Sequence, residues 1–304
     1  VKLSNVAATQ HYLFASNNTY ICFTNAGTIE VNLRSGSTNY FSTSNAVFRD
    51  FSSFFHLVWR VDTANSSMKI YINGEEITFS SSSVPSNADT DINRNAQHNI
   101  GKSDIDARYF DGMIADIHFI DGQALSATDF GETDSNGVWQ PKKFAGTYGT
   151  NGFHLDFSDN SSNAALGTDS SPNGNTWTVN NLSVAAGAGN DSLVDTPEQR
   201  SDQTDTGVGG EVVGNYATWN PLAANNDSLS NGNLDAESTS GYAAVASTMA
   251  MKSGKWYMEY TYTANSGGYI TFGASQTNRD MSVNESVVNA VSYTHLTLPT
   301  TPYV

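Results

Sequence analysis

Phe55, Leu57, Trp59 and Val61 alternate with His56, Val58 and Arg60. A period of two makes one apolar face only if the chain is extended, so this stretch is a strand before anything else is known of it. Met68-Lys69-Ile70-Tyr71-Ile72 repeats the pattern, halts at Asn73-Gly74 and resumes at Ile77-Thr78-Phe79. Asn-Gly supplies the two positive φ values of a tight primed turn, which predicts a hairpin. Residues 112–120 set Met113, Ala115, Ile117 and Phe119 opposite Ile114, Asp116, His118 and Ile120, and read as one further strand closing on Asp121-Gly122. Shorter β-rich pieces at 12–14, 19–23, 28–33 and 46–51 are separated by Asn, Gly and Ser clusters. The best helical stretch is Ser126-Ala127-Thr128-Asp129-Phe130, a single turn capped by Ser126. The expectation is an all-β chain of two stacked sheets.

Composition narrows the partners. The 304 residues carry 14 basic against 30 acidic side chains, a formal charge of -16. Such a surface repels phosphate backbones and anionic headgroups, so nucleic-acid binding is not expected. No apolar run approaches the ~18 residues of a membrane-spanning helix, and membrane insertion is not expected. Cys22 is the single cysteine, which forbids an intrachain disulfide. The start at Val1, with neither Met nor a signal segment, reads as a fragment boundary, and the compartment is not encoded. From 185 to 214 the alternation gives way to Gly, Asp, Ser, Thr and Gln, the composition of a linker. It returns at Trp256, Met258, Tyr260 and Tyr262, and again at 269–272, which predicts a second, incomplete β-sandwich module over 215–290.

Four motifs in order carry a resemblance: residues 55–62, residues 69–74, Asn99-Ile100-Gly101, and residues 109–117 leading into Ala124-Leu125-Ser126. Together they resemble the laminin-G-like branch of the concanavalin A-like jelly rolls over residues 1–130, with the first strand missing and Val1-Lys2-Leu3-Ser4 as its tail. The resemblance implies a two-sheet jelly-roll sandwich whose rim loops contact glycans or proteins and, in related domains, hold Ca²⁺. Residues 130–141, 149–162 and 169–175 are similar to the extension that follows such sandwiches in phage and marine viral structural proteins. That implies a virion or extracellular location, a glycan or host-surface protein as partner, and assembly into a homo-oligomer within a larger particle. In this extension, 131–184, Phe153, Leu155 and Phe157 alternate and can add a strand to a sheet edge. Leu229 to Leu234 and Ser253 to Glu259 resemble the opening of a SPRY-type sandwich. Residues 291–304 are similar to read-through of sequencing adapter and are set aside as non-native.

The motifs of bond-breaking chemistry fail in detail. Glu132-Thr133-Asp134 begins the paired-carboxylate pattern of jelly-roll glycosidases, but Gly137 stands where the closing acid belongs. There is no His-Glu-x-x-His, no paired Cys and no Gly-x-Ser-x-Gly. His56 and His118 lie within strands and read as packed or surface residues, because no second ligand stands at metal spacing. Hard oxygen ligands gather at Asp89, Asp91 and Asn93 and again at Asp104 and Asp106, the candidate Ca²⁺ residues, although Arg94 occupies the position a calcium loop gives to Gly. Arg108, Tyr109 and Trp139 are the candidate ligand-binding residues, aromatic or cationic groups in or beside loops. The reading is a non-catalytic structural and recognition module, a tail fibre or related appendage of a viral particle. The alternatives are a divergent polysaccharide hydrolase with its acids on separate strands and a secreted bacterial adhesion protein.

Overall fold

The computed structural model describes residues 1–4, 9–51, 53–135, 137–185, 190–192, 217–225, 227–230, 233–238, 243–249, 260 and 262. In chain order the strands are β1 (Lys2–Leu3), β2 (His11–Ser16), β3 (Thr19–Phe23), β4 (Thr28–Ser35), β5 (Thr38–Val47), β6 (Leu57–Asp62), β7 (Ser67–Ile72), β8 (Glu75–Glu76), β9 (Phe79–Ser81), β10 (Asn99–Ile100), β11 (Gly112–Met113), β12 (Ile117–Phe119), β13 (Gly131–Thr133), β14 (Trp139–Pro141) and β15 (Phe153–Leu155). Six of them form one antiparallel sheet in the order β10-β2-β3-β4-β5-β9. Facing it are a β6-β7-β8 sheet and a β12-β15 pair. The expected all-β architecture is what the chain adopts.

The core lies between these layers. Leu13, Ile21, Phe23, Ile29, Val31 and Leu33 of the large sheet meet Met68 and Ile70 of β7, and Phe55, Leu57, Trp59 and Val61 pack against them. The face predicted from the 55–61 alternation is therefore the inner one. On the other side of the large sheet Tyr12, Ala15, Tyr20 and Cys22 form a second buried cluster, so β3 is buried on both faces. Burial pushes the Cys22 thiol well above its ordinary range, which leaves it protonated and inert.

The hairpin at 73–74 forms as predicted, with Asn73 at φ 49° and Gly74 at φ 84° joining Ile72 to Glu75. Its second arm departs from the expectation. After Glu76 the chain leaves this sheet, and Phe79–Ser81 pairs with β5 of the opposite one. The crossing is hydrogen-bonded at both ends, from Ile77 N to Ile70 O (3.0 Å) and from Asn45 N to Thr78 O (2.9 Å).

Three strand boundaries are corrected. The predicted strand at 46–51 lies earlier, at Thr38–Val47, where Ser42 and Ser44 take inward positions and are fully buried. Ser44 Oγ accepts from Ile29 N and donates to Ala46 O, so a hydroxyl satisfied by backbone does the filling and no apolar alternation marks it. The predicted 112–120 strand breaks at Asp116, whose φ of 52° is left-handed. Its first part pairs with β1 and its second with β15. The extension does supply that partner strand, in the register Ile117↔Leu155, His118↔His154, Phe119↔Phe153. Phe157, at φ 55°, is not part of it. The short turn at 126–130 is a 3₁₀ helix, Ala127–Asp129, where Ser126 N–H donates to Asp129 Oδ2 at 2.8 Å.

Further along the chain, β16 (Trp219–Asn225) pairs with β19 (Ala244–Ser247), and β17 (Asp227–Ser230) with β18 (Asp235–Ser238). Most of residues 185–214, expected to be a linker, the alternating residues 256–259 and 269–272, and residues 291–304 lie outside the described residues. Among the described residues no helix is long and apolar enough to cross a membrane.

Candidate functional site

Sheet topology creates the site. Among the described residues β6 pairs on one side only, with β7, and β12 on one side only, with β15. The space between these two edges is a cleft of about 1380 Å³. Leu13, Phe14 and Ile21 of the large sheet contribute to its apolar lining. Phe14 touches both walls, stacking on Phe119 at 6.1 Å and meeting Trp59 edge-on at 6.4 Å. The polar lining includes Asp62, Asp89, Asn93, Arg94, Asp121 and Gln123.

Two donors in this lining are unanswered. Trp59 Nε1 and Arg60 Nε are buried with no hydrogen-bond partner among the described residues. A buried N–H without an acceptor costs roughly 1–3 kcal/mol, and a ligand oxygen is one way to recover it. The cleft carboxylates are differently placed. Asp62 is held below the usual carboxylate range, first by the Asn65 side-chain amide, which donates at 2.8 Å. Asp121 accepts from Asn93 Nδ2 (2.6 Å) and Asn151 N (3.1 Å), and Asp91 from Asn17 Nδ2 (2.9 Å) and Arg94 Nη1 (2.6 Å). The lowering at Asp62 opposes the raised pKa that a general acid needs.

The residues singled out from sequence divide between two places. Asp89, Asp91, Asn93 and Trp139 line the cleft, whereas Arg108, Tyr109, Asp104 and Asp106 lie outside its lining. Trp139 is a packing anchor there. Its ring stacks on His56 at 6.0 Å, its Nε1 donates to His56 Nδ1 at 3.0 Å, and it covers Gly74 and Gly131, where a Cβ would lie 2.4 Å from the indole. Burial lowers His56 to about 4, which keeps Nδ1 free to accept that bond. Arg108 lies over the Tyr12 ring at 5.0 Å and pairs with Asp106 at 2.6 Å, and the guanidinium holds Asp106 down to about 2. Tyr109 is 53% exposed.

The candidate calcium residues make local structural bonds. Asp91, buried, and Asp104 grip the β2–β3 turn from two sides, accepting from Asn17 Nδ2 (2.9 Å) and Asn18 N (2.7 Å). Both turn residues have positive φ, 46° and 69°, so these bonds fix a conformation that Asn adopts more readily than most residues. Asp104 Oδ1 is buried with no hydrogen-bond partner among the described residues. Among the described residues it is not these acids but Asp116, His118 and His154 that come within one ion's reach of one another.

Sequence reasoning missed that second constellation. His118 was set aside because no ligand stood at metal spacing, yet Asp116 lies two residues earlier and His154 is its direct cross-strand partner. The local signal was Asp-x-His within a strand. The other half arrives only through pairing with an extension 36 residues away. Asp116 Oδ1 lies 2.5 Å from His154 Nε2, and its Oδ2 lies 3.4 Å from His118 Nε2. The two imidazoles stack with centroids 4.0 Å apart, inclined by 16°.

Fold and site together define an all-β sandwich with a cleft between two half-paired sheets. Residues 1–130 match a laminin-G-type family model of the concanavalin A-like lectin/glucanases superfamily. No curated protein and no solved structure matches the chain.

Proposed function

We propose that this chain is a non-catalytic recognition protein of a viral particle, a tail fibre or related appendage, and that its cleft takes an extended glycan. The cleft carries this reading. At about 1380 Å³ it exceeds the ~300–1,000 Å³ typical of small-molecule pockets, and two of its lining residues, Trp59 and Arg60, carry a buried N–H with no acceptor among the described residues. Oligosaccharides offer such acceptors in series, and the ring faces of Phe14 and Trp59 offer apolar surface beside them. The lectin/glucanase description of residues 1–130 supports the ligand class. The viral setting is supported by the likeness of the 131–184 extension to those of phage structural proteins.

A glycan-array screen of the full chain, in Ca²⁺ and in EGTA, tests this. Binding that Trp59→Ala or Arg60→Ala weakens at least tenfold is expected, and binding lost in EGTA would assign a Ca²⁺ to the rim acids. A second reading rests on the one-sided pairing of β6 and β12, because an unpaired edge can also accept an extended protein segment as an added strand. A silent array together with capture of a peptide in β pairing would favour it. Release of reducing ends from host polysaccharides, abolished by Asp62→Asn or Asp121→Asn, would instead make the chain a hydrolase.

A further inference from the structure

Asp116 stands immediately before β12 and His118 lies within it, two residues on, and register places His154 of β15 directly across from His118. Directly opposed side chains in an antiparallel pair have Cβ atoms about 4.5–5.5 Å apart, close enough to share one small ligand. We propose that Asp116, His118 and His154 form a mononuclear site for a divalent transition-metal ion, zinc foremost. The proposal stands apart from the glycan reading of the cleft.

Three observations converge on it. The first is donor geometry. Three protein ligands, two imidazoles and a carboxylate, match the composition of zinc sites that keep a fourth position open. Tetrahedral bonds of ~2.0–2.1 Å set neighbouring ligand atoms roughly 3.3 Å apart. Asp116 Oδ2 lies 3.4 Å from His118 Nε2, about that edge, and its Oδ1 lies 2.5 Å from His154 Nε2, so the carboxylate has to turn to present one oxygen to an ion held by both imidazoles.

The second is the outer ring of partners. His118 Nδ1 meets Tyr148 Oη at 2.8 Å, and His154 Nδ1 meets Ser170 Oγ at 2.9 Å. An imidazole that ligates through Nε2 must carry its proton on Nδ1 and give it to an acceptor, and both hydroxyls can accept. Ser170 Oγ also lies 3.1 Å from His154 O, to which it can donate its own proton. His154 can therefore take the ligating tautomer without either partner moving. Phe130 and Phe144 flank His118 at 5.8 and 6.1 Å and shield the site on that side.

The third is the backbone. Asp116 holds a left-handed φ of 52° at the point where the strand breaks. For a residue with a side chain this is an uncommon conformation, and such residues gather at functional sites. Asp116 and His118 also line the cleft, so the open coordination position has access to it.

Zn²⁺ alone is the probe. The full chain, stripped with chelator and titrated with ZnCl₂ by calorimetry, is expected to bind one equivalent. Asp116→Asn, which tolerates the same backbone conformation, and His154→Gln should each weaken binding by about 10–100-fold or more, and Ser170→Ala or Tyr148→Phe by about tenfold. Co²⁺ should give the visible absorption of a four-coordinate ion, and excess Ca²⁺ should not displace it. Should the variants fail to fold, diethyl pyrocarbonate footprinting of the native chain decides: Zn²⁺ should protect His118 and His154 while His11, His56, His98 and His295 react as before. No stoichiometric Zn²⁺ binding, equal affinity in folded Asp116→Asn and His154→Gln, or no selective protection would each overturn the site. The group would then be a hydrogen-bonded histidine–carboxylate cluster that ties residues 153–155 to β12.

Discussion

Strands β3 and β6 both carry apolar residues at alternate positions, yet their surroundings differ. All of β3 is buried, held between β2 and β4 and covered on both faces, whereas every residue of β6 is only partly buried and, among the described residues, it pairs on one side only. The comparison teaches that alternation specifies which side chains face the core, while a lateral neighbour decides whether that core is sealed. The side that lacks one becomes the cleft.

Substitutions can break or sharpen this contrast. Phe23, 1% exposed in β3, should cost about 3–5 kcal/mol when changed to alanine, and Trp59→Ala in β6 less than half as much, both read from denaturant midpoints. Equal losses would mean that the open face is packed as tightly as the closed one. Acid should loosen the open face first. His56 titrates near 4 when folded and near 6.5 when unfolded, because burial disfavours its charge. The unfolded chain takes up the proton first, so the stability tied to this group is whole above pH 6.5 and drains away as pH falls toward 4. It amounts to at most about 3 kcal/mol. His56→Gln should flatten that dependence when Trp fluorescence is followed against pH. An unchanged profile would put the acid sensitivity elsewhere.

Smaller effects are expected at the edges of the open face. Gly131→Ala places a methyl 2.4 Å from Trp139 Cζ2 and must displace the indole from His56, at a cost of about 1–3 kcal/mol visible in Tm and in the Trp spectrum. Lys69 pairs with Glu76 at 2.7 Å on an exposed face, and Lys69→Ala should leave the midpoint unmoved within error, at low salt and at high. A clear salt-dependent loss would show that this pair helps to hold the short β8 strand.

Local chemistry was readable where it acts over a few residues. The Asn73-Gly74 turn, the inner face of 55–61 and the Ser126 cap each follow from neighbours in the chain. Thr38–Val47 was not readable, because its inward positions are serines whose burial depends on hydrogen bonds made elsewhere. The break at Asp116 was hidden by an uninterrupted alternation on either side of it. His154 lies between Phe153 and Leu155 of the alternating stretch, and nothing local announces that it will stand beside His118. Of the candidate site residues, Asp89, Asp91, Asn93 and Trp139 do reach the cleft, but Asp91 and Trp139 are parts of its frame, since their polar groups are already committed to Arg94, Asn17 and His56.

The passage from β8 to β9 stitches the two layers together along one side, with Ile77 and Thr78 bonded to opposite sheets. That crossing anchors the β8 margin of the small sheet to the β9 margin of the large one, which leaves β6, at the opposite margin, to border the cleft.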